Sequence, residues 1–587
     1  MQNLIKYEIE KITLEKAENG IEILKLPELT EEEKRIIDPI VAPTSGLRIQ
    51  IYDILDENNY LLKSRRLFLF LRVFKAISLK FKELKDDRNL KVLIFTDDRP
   101  SRKILLKYCS KIFAHDGYQV YYQTDIPGES RISSPYGAAS VELYEDSNTL
   151  DIDLVLILTA SHNELSWNGI KFYIDFPMPM SGSLFKEISK IAIQIREISF
   201  KPVDPILIDA EQKNNDYIIQ LLSEIMELSS IKGKSIVIWP YLGKARGIVN
   251  LFNQLGARIT LIEEEINPPN PIKEIREQKL QEVMNQVNST IAILLDADRD
   301  RIALYVKQNG KYYFYIPNEI FSAMHNILAH EFNKDIINIR TIPSDLRGDD
   351  SSFMNVLTGV GYKHLGIILY FLMGIEVEES KIDSAILYME GKNKELIKID
   401  EPTPLRQRII ELMDEDDLKH SQFITVMWEE SGGHTINLLN VSKDQDTGNF
   451  SFKSPLPLIA DKYPVPALVL ITELLCRGYI ISKSIDWSIV GINRTTPAND
   501  EEKIKIMKNF EKNHDKTVKI KNKEYKVQAL SDNNNMVDIY QLKSEDSTLY
   551  FRPSGTGPDV RFYIFGKRDS YEDEIKSVME YVKRNYA

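Results

Sequence analysis

The 587 residues are 43% hydrophobic and 28% charged, enough apolar material for several buried cores and too long a chain for one, so roughly three to five domains are expected. A formal net charge of -12 leaves no global basic field to hold nucleic acid or an anionic membrane surface, so an anionic ligand needs its own local cluster of Arg and Lys. Two distant cysteines, Cys109 and Cys476, cannot make a disulfide framework and read as core thiols in a reducing compartment.

The opening residues MQNLIKYEIEKITLEK mix acids and bases and lack the apolar centre of a secretory signal. Apolar stretches such as Leu67–Phe74 are short and carry a charge, so no membrane span and a cytoplasmic location are expected. Residues up to about Ile40 are rich in Glu, Lys and Ile and read as a solvated helical extension. Two later stretches share one plan: an apolar strand (Val92–Phe95; Ile236–Trp239), a polar turn, an amphipathic helix, a glycine (Gly117; Gly256) and a second strand (Gln119–Tyr122; Arg258–Ile262). That order implies parallel βαβ units. A third α/β region has a helix over Asn318–His330, strands near Ile336–Arg340, Ile375–Val377 and Ala385–Met389, and a closing helix over Ala467–Leu475. Residues Ser482–Ser488 read as a linker, and Lys443–Gly448 as a turn-rich insertion. Beyond them a helix over Ile506–His514 and strands at Val518–Ile520, Tyr525–Val527, Leu549–Phe551 and Arg561–Phe565 predict a smaller α+β unit.

Four loops carry chemistry. In Leu158–Tyr173 (LTASHNELSWNGIKFY) an apolar strand runs into a polar loop holding Ser161 beside His162, Asn163, Asn168 and Lys171, the place where open α/β sheets present functional groups. Turn capping is the ordinary alternative for the Ser-His pair alone. In Ile291–Tyr305 (IAILLDADRDRIALY) Asp296, Asp298 and Asp300 alternate after a strand and precede Arg301. Carboxylates this crowded raise one another's pKa unless a cation neutralises them, and magnesium suits oxygen ligands with open positions for phosphate. An EF-hand calcium loop would need Gly where Arg301 stands and Glu where Lys307 stands. Trp428–His434 (WEESGGH) offers two carboxylates, a hydroxyl and two glycines that can accept sugar hydroxyls. In Phe551–Gly566 (FRPSGTGPDVRFYIFG) Arg552 heads Ser554, Gly555, Thr556 and Gly557, a bare backbone with two hydroxyls and a forked cation matched to phosphate.

In order and context these loops resemble those of the α-D-phosphohexomutase family. Thr159–Asn163 with Asn168, Gly169 and Lys171 resembles the serine loop T-A-S-H-N-P with N-G-x-K; the aspartates resemble the metal loop D-G-D-x-D-R; Glu429–Gly432 resembles the sugar loop G-E-x-S-G; and Arg552–Gly557 resembles the phosphate loop R-P-S-G-T-E-P. Thr44-Ser45-Gly46-Leu47-Arg48 looks like the N-terminal T-S-G-L-R whose Arg reaches the active site, and Ser134-Pro135, Leu255-Gly256-Ala257, Pro269-Asn270-Pro271 and Val360-Gly361-Tyr362-Lys363 add agreement. Glu164, Trp428 and Gly557 depart from the usual Pro, Gly and Glu, the last in the manner of the glucose-specific S-G-T-G.

The resemblance implies an α/β fold of four domains around a central cleft, three α/β domains with mixed sheets plus a smaller C-terminal α+β domain. After an N-terminal extension (1–40) these are residues 41–205 with the serine loop, 206–308 with the metal loop, 309–485 with the sugar loop and 486–587 with the phosphate loop. It further implies an isomerase that interconverts hexose 1-phosphate and hexose 6-phosphate, of glucose or mannose, through phosphorylated Ser161 and a hexose 1,6-bisphosphate intermediate that also serves as activator. Mg²⁺ would be held by Asp296, Asp298, Asp300 and Ser161, with Arg48, His162, Arg301 and Lys171 assisting. Lys171 leads as acid/base group and His434 is second, since some members carry a His directly after S-G where Gly433 stands here. Lys363, Glu429, Ser431, Arg552, Ser554, Gly555, Thr556 and Arg561 would bind the substrate. The partner is a small sugar phosphate, with no nucleic acid and no membrane, on a monomer or homodimer. The alternatives are a phosphoglucosamine mutase and a non-catalytic sugar-phosphate-binding homologue.

Overall fold

The computed structural model describes the chain except residues 1–3, 9–13, 17–20, 40–45, 57–58, 86–88, 146–149, 175–181, 393–394, 414–419, 445, 555–558 and 587. It is an α/β protein with mixed sheets that divides into two compact units, one of residues 1–314 with 461–469, the other of 315–460 with 470–587.

In the first unit, unbroken apolar runs become interior strands. Leu154–Leu158 (LVLIL) is wholly buried and pairs in parallel with Lys91–Thr96, which pairs in parallel with Gln119–Gln123. Helix Arg102–His115 makes the crossover, so the first βαβ unit forms as expected. Trp167–Ile174 then lies antiparallel to both Leu154–Leu158 and Leu47–Gln50. Only Gly fits at 169, where a Cβ would stand 2.5 Å from the carbonyl oxygens of Leu47 and Thr159. A second sheet repeats the plan: Ser235–Trp239 runs parallel to Arg258–Leu261 and Ile291–Leu295, with helix Arg246–Gln254 between the first two, and Ile302–Gln308 returns antiparallel beside Ile291–Leu295.

The N-terminal segment differs from the expected solvated extension. Helix Glu31–Ile37 is present behind a Thr30–Glu33 capping box, but Ile37 is buried. Glu22–Lys25 adds antiparallel to Glu197–Phe200 with Leu24 in the same core, and Leu4–Glu8 pairs in parallel with Asn59–Lys63. In Glu22–Lys25 the apolar Leu24 is spent on the core rather than facing water.

In the second unit Asp335–Thr341 runs parallel to Met354–Thr358 and His420–Trp428, and His434–Lys443 returns antiparallel to the last. No strand forms at residues 375–377. Gly374, at φ 74°, ends helix Tyr362–Met373 in the left-handed conformation, and Ile375 donates back to the Tyr370 carbonyl, so the alternating stretch is a helix exit. The sheet neighbour is instead Met354–Thr358, all of it buried. The C-terminal sheet is antiparallel, with Ile489–Pro497, Asp559–Lys567, Thr548–Pro553, Val537–Lys543, Lys523–Ser531 and Thr517–Ile520 in spatial order, packed on helices Asp500–Glu511 and Tyr571–Tyr586. Cys109 is buried and Cys476 half-buried. Among the described residues no helix is long and apolar enough to cross a membrane.

Candidate active site

All four loops share one local design: each joins two antiparallel neighbours in a sheet, so the flanking strands fix both ends of the loop. The serine loop links Leu154–Leu158 to Trp167–Ile174, and the metal loop links Ile291–Leu295 to Ile302–Gln308. Both lie in the first unit. The sugar loop links His420–Trp428 to His434–Lys443, and the phosphate loop links Thr548–Pro553 to Asp559–Lys567, both in the second.

Ser161 is buried and held at φ 53°, a conformation a non-glycine residue keeps only when its surroundings enforce it. Here they do. Its N–H donates to Thr159 Oγ1 at 2.9 Å, and the Thr159 hydroxyl donates to Asp97 Oδ2 at 2.7 Å. Beneath the loop, fully buried Arg99 donates to the carbonyls of Ser161, Asn163 (2.8 Å), Glu164 (2.7 Å) and Trp167 (3.1 Å), and pairs with Asp97 at 3.1 Å. Arg48 Nη1 donates to Asn163 Oδ1 at 2.7 Å from the neighbouring strand. The Ser161 hydroxyl donates to Asp296 Oδ2 at 3.2 Å and lies 3.4 Å from His162 Nδ1. Burial, with the cations Arg301 and Arg48, holds the His162 pKa well below its usual range, so its ring is neutral.

Asp296, Asp298 and Asp300 are buried, with one carboxylate oxygen of each within 4.8 Å of the others. Burial and the charges of Asp300 and Asp298 push Asp296 well above the carboxylate range, while Lys171, Lys462 and Arg301 override burial and hold Asp300 well below it. Asp298 Oδ1 and Asp300 Oδ1 are buried and receive no hydrogen bond among the described residues. An all-oxygen cluster of three buried carboxyls with unsatisfied lone pairs fits a hard divalent cation. Lys171 Nζ stands 2.9 Å from Asp298 Oδ2, 3.4 Å from Asp300 Oδ2 and 2.9 Å from Ser134 Oγ. Burial opposes its charge, but the two aspartates outweigh it and raise the Lys171 pKa, so this amine is a held cation rather than a ready base. Arg301 lies 3.9 Å from Asp296 and 3.7 Å from Asp300.

The second unit gathers the remaining candidates. Ser431 donates to Glu429, and Gly432, at φ 107°, turns the loop by donating to the Glu429 carbonyl. Burial and the adjacent Glu429 raise the pKa of Glu430, with Arg561 and Arg552 opposing. Arg552 and Arg561 face each other across the hairpin, and Arg552 Nε donates to Asp538 Oδ2 at 3.1 Å. Burial lowers the pKa of the Lys363 ammonium at the start of helix Tyr362–Met373, Asp538 opposing and Arg552 reinforcing. Ser554 N–H donates to the Asp559 carbonyl at 2.9 Å. Gly555 and Thr556, like Thr44 and Ser45, lie outside the described residues. His434 is set in the core, with its Nε2 2.9 Å from that of His325 and its ring centroid 4.5 Å from that of Phe321. Burial keeps both imidazoles neutral, His325 down to about 3. The second acid/base candidate is thus a buried, neutral imidazole at the end of the sugar loop. Trp428 is likewise a core residue, donating to Asn338 Oδ1 at 2.8 Å.

Two residues escaped the sequence reading. Arg99 sits in DDRPSR with no mark of its task, because its partners are backbone carbonyls. Lys462, far along the chain, places its charge on Asp300 and His162, and its neighbour Asp461 accepts from Tyr173 at 2.7 Å. Arg99→Ala should lower unfolding free energy by about 3–5 kcal/mol, as for one partner of a buried ionic network, and urea unfolding checks it. A loss below about 1 kcal/mol would mean the loop carbonyls are satisfied without the guanidinium.

Residues 68–199 match the family model described as phosphoglucomutase/phosphomannomutase, alpha/beta/alpha domain I, the stretch that contains the serine loop. Over this stretch the chain is similar to the first domain of the α-D-phosphohexomutase family. Among curated phosphohexomutases, a phosphoglucosamine mutase of Thermodesulfovibrio yellowstonii is 25% identical over 224 residues, 36% of this chain and 46% of that protein. One of Campylobacter jejuni is 24% identical over 272 residues, 42% of this chain and 58% of that protein. The match thus spans about half the length of these relatives. Among solved structures, the phosphoglucomutase parafusin of Paramecium, in its open form, superposes with a TM-score of 0.58 at 14% identity, covering 97% of this chain and 93% of that one. A phosphoglucomutase/phosphomannomutase family protein of Burkholderia thailandensis gives a TM-score of 0.54 at 13% identity, covering 93% and 98%. The phosphohexomutase fold therefore extends far beyond the matched first domain.

Proposed function

We propose that this protein is a phosphohexomutase that moves a phosphoryl group between the 1- and 6-hydroxyls of a hexose through phosphorylated Ser161. The observation that carries the reading is the Ser161 hydroxyl 3.2 Å from Asp296 of a buried aspartate triad. In the forward step the phosphoserine P–O bond breaks as the free hydroxyl of a hexose monophosphate bonds to phosphorus. Ser161 is released as an alcohol, and the substrate hydroxyl's proton passes to a base. The bound bisphosphate then returns its other phosphoryl group to Ser161. Asp296, Asp298 and Asp300 would hold Mg²⁺, which when bound supplies positive charge to the transferring phosphoryl oxygens. Lys171 and Arg301 add fixed cationic charge there, the oriented electrostatics that phosphoryl transfer needs. The four domain bounds 41–205, 206–308, 309–485 and 486–587 belong to the same proposal.

Glucose phosphates, with mannose phosphates beside them, are the proposed substrates, because Glu429–Gly432 and Ser554–Gly557 resemble the glucose-handling members. The names of the curated relatives favour a second reading, phosphoglucosamine mutase. Assay of purified protein with glucose 1-phosphate, mannose 1-phosphate and glucosamine 1-phosphate decides between them. A higher kcat/KM for glucosamine 1-phosphate than for either neutral sugar would overturn the first, and no turnover of any would leave a sugar-phosphate-binding homologue.

Arg552 is proposed to clamp the phosphate that is not reacting. Losing a hydrogen bond to a charged group costs about 1.5–3 kcal/mol, so Arg552→Ala should lower kcat/KM roughly ten- to a hundred-fold in both directions. Both directions staying within about two-fold of the parent would remove Arg552 from the clamp.

A further inference from the structure

Behind the metal loop, the first unit has a small cavity of about 20 Å³, open to solvent, whose walls include Asp98, Arg131, Ser133, Glu211, Lys244, Arg246 and Arg299. It lies at the start of helix Arg246–Gln254, where the cap residue Ala245, at φ 45°, offers no side-chain acceptor and the Glu211 carboxylate accepts from the Gly247 N–H instead. Two buried polar atoms of its walls lack partners among the described residues: Ser133 Oγ and Arg299 Nε, on side chains of residues 8% and 2% exposed. Arg299 stands between Asp298 and Asp300 in sequence, and its guanidinium donates to Asp98, to the Ala297 carbonyl within the metal loop and to the Leu242 carbonyl (2.9 Å).

The charge balance is cationic. Asp98 is divided between Arg131 and Arg299, and Asp125 between Arg131 and Arg246, so two carboxylates serve three guanidiniums. Glu129 also reaches Arg131, but it is shared with Arg102 and Lys103. Lys244 is exposed at the wall, 3.1 Å from an exposed Glu263. Burial pushes the Glu211 carboxyl up to about 7, with Arg246 opposing, so near neutral pH much of it is uncharged and repels an anion less.

We infer that this cavity is a second anion site, separate from the phosphoryl-transfer centre, for a small tetrahedral dianion such as inorganic phosphate. Such an ion would supply an acceptor to Ser133 Oγ and Arg299 Nε and spread its charge over Arg246 and Lys244. It would also tie down the metal loop from behind, since the Ser134 N–H, next to Ser133, donates to the Asp298 carbonyl at 2.9 Å.

Calorimetric titration of the full chain with inorganic phosphate in magnesium-free buffer tests this. In the Arg552→Ala protein one phosphate should still bind per chain, and adding Arg246→Ala should weaken it about ten-fold or more. Lys244→Glu, at an exposed position that leaves the core intact, should weaken it comparably and covers the event that Arg246→Ala fails to fold. Unchanged phosphate affinity in both variants would overturn the inference. So would loss of all phosphate binding on Arg552→Ala alone, a result that would leave the reading of Arg552 standing.

Discussion

Ser161→Ala should reduce turnover by on the order of 10³-fold or more, and phosphate detectable on the Ser161 peptide of the parent should vanish. The reason is chemical: no other hydroxyl among the described residues stands both in this strained loop and 3.2 Å from the triad. Thr159, two residues earlier, is spent on Asp97 and the Ser161 amide, so it cannot take over. Ser161→Thr should fail almost as badly although it keeps a hydroxyl, because a β-branched side chain resists φ near 53°. Ser161→Ala retaining more than a tenth of parental activity would end the covalent mechanism.

Exhaustive chelation should abolish catalysis, and Mg²⁺ should raise the melting temperature of the parent. An ion present at a hundred times its dissociation constant adds about 2.7 kcal/mol to the state that binds it. Asp298→Asn should lose most of that thermal gain while its metal-free melting temperature stays near the parent's, because the change removes a repelling charge from a buried triad as well as a partner of Lys171. The melting curve therefore reads the site independently of turnover. A chelated enzyme with full activity, or an Asp298→Asn protein stabilised by Mg²⁺ as strongly as the parent, would exclude the triad as the metal site.

Much of this site could be read from residue order because its chemistry sits in hairpin tips between apolar strands. LVLIL before Ser161 and IAILL before Asp296 announce both strand and loop, and carboxylates at alternate positions there have few other uses. What escaped was long-range. Arg99 answers to carbonyls, which leave no trace in side-chain pattern, and Lys462 reaches Asp300 only after folding. Strands Glu22–Lys25 and Leu4–Glu8 take their identity from partners far along the chain, so their Glu- and Lys-rich composition read as solvated helix. Ile375–Val377 failed for the opposite reason: a local alternation of period two was mistaken for a strand where Gly374 had already ended a helix. The packing of His434 was equally hidden, because its partner His325 lies 109 residues away on another element.

The segment Asp461–Val469 belongs to the first unit although the chain on either side of it belongs to the second. Within that unit Asp461 receives the Tyr173 hydroxyl and Tyr463 donates to Asn214 at 2.7 Å. A nascent chain leaving the ribosome therefore cannot finish its first unit when residue 314 emerges. It must wait until residue 469 of 587 has been made, holding buried positions such as Tyr173 and Asn214 open meanwhile. Synthesis thus delays assembly of the Ser161 centre until most of the polypeptide exists, and a fragment ending near residue 314 would be born with an interior it cannot close.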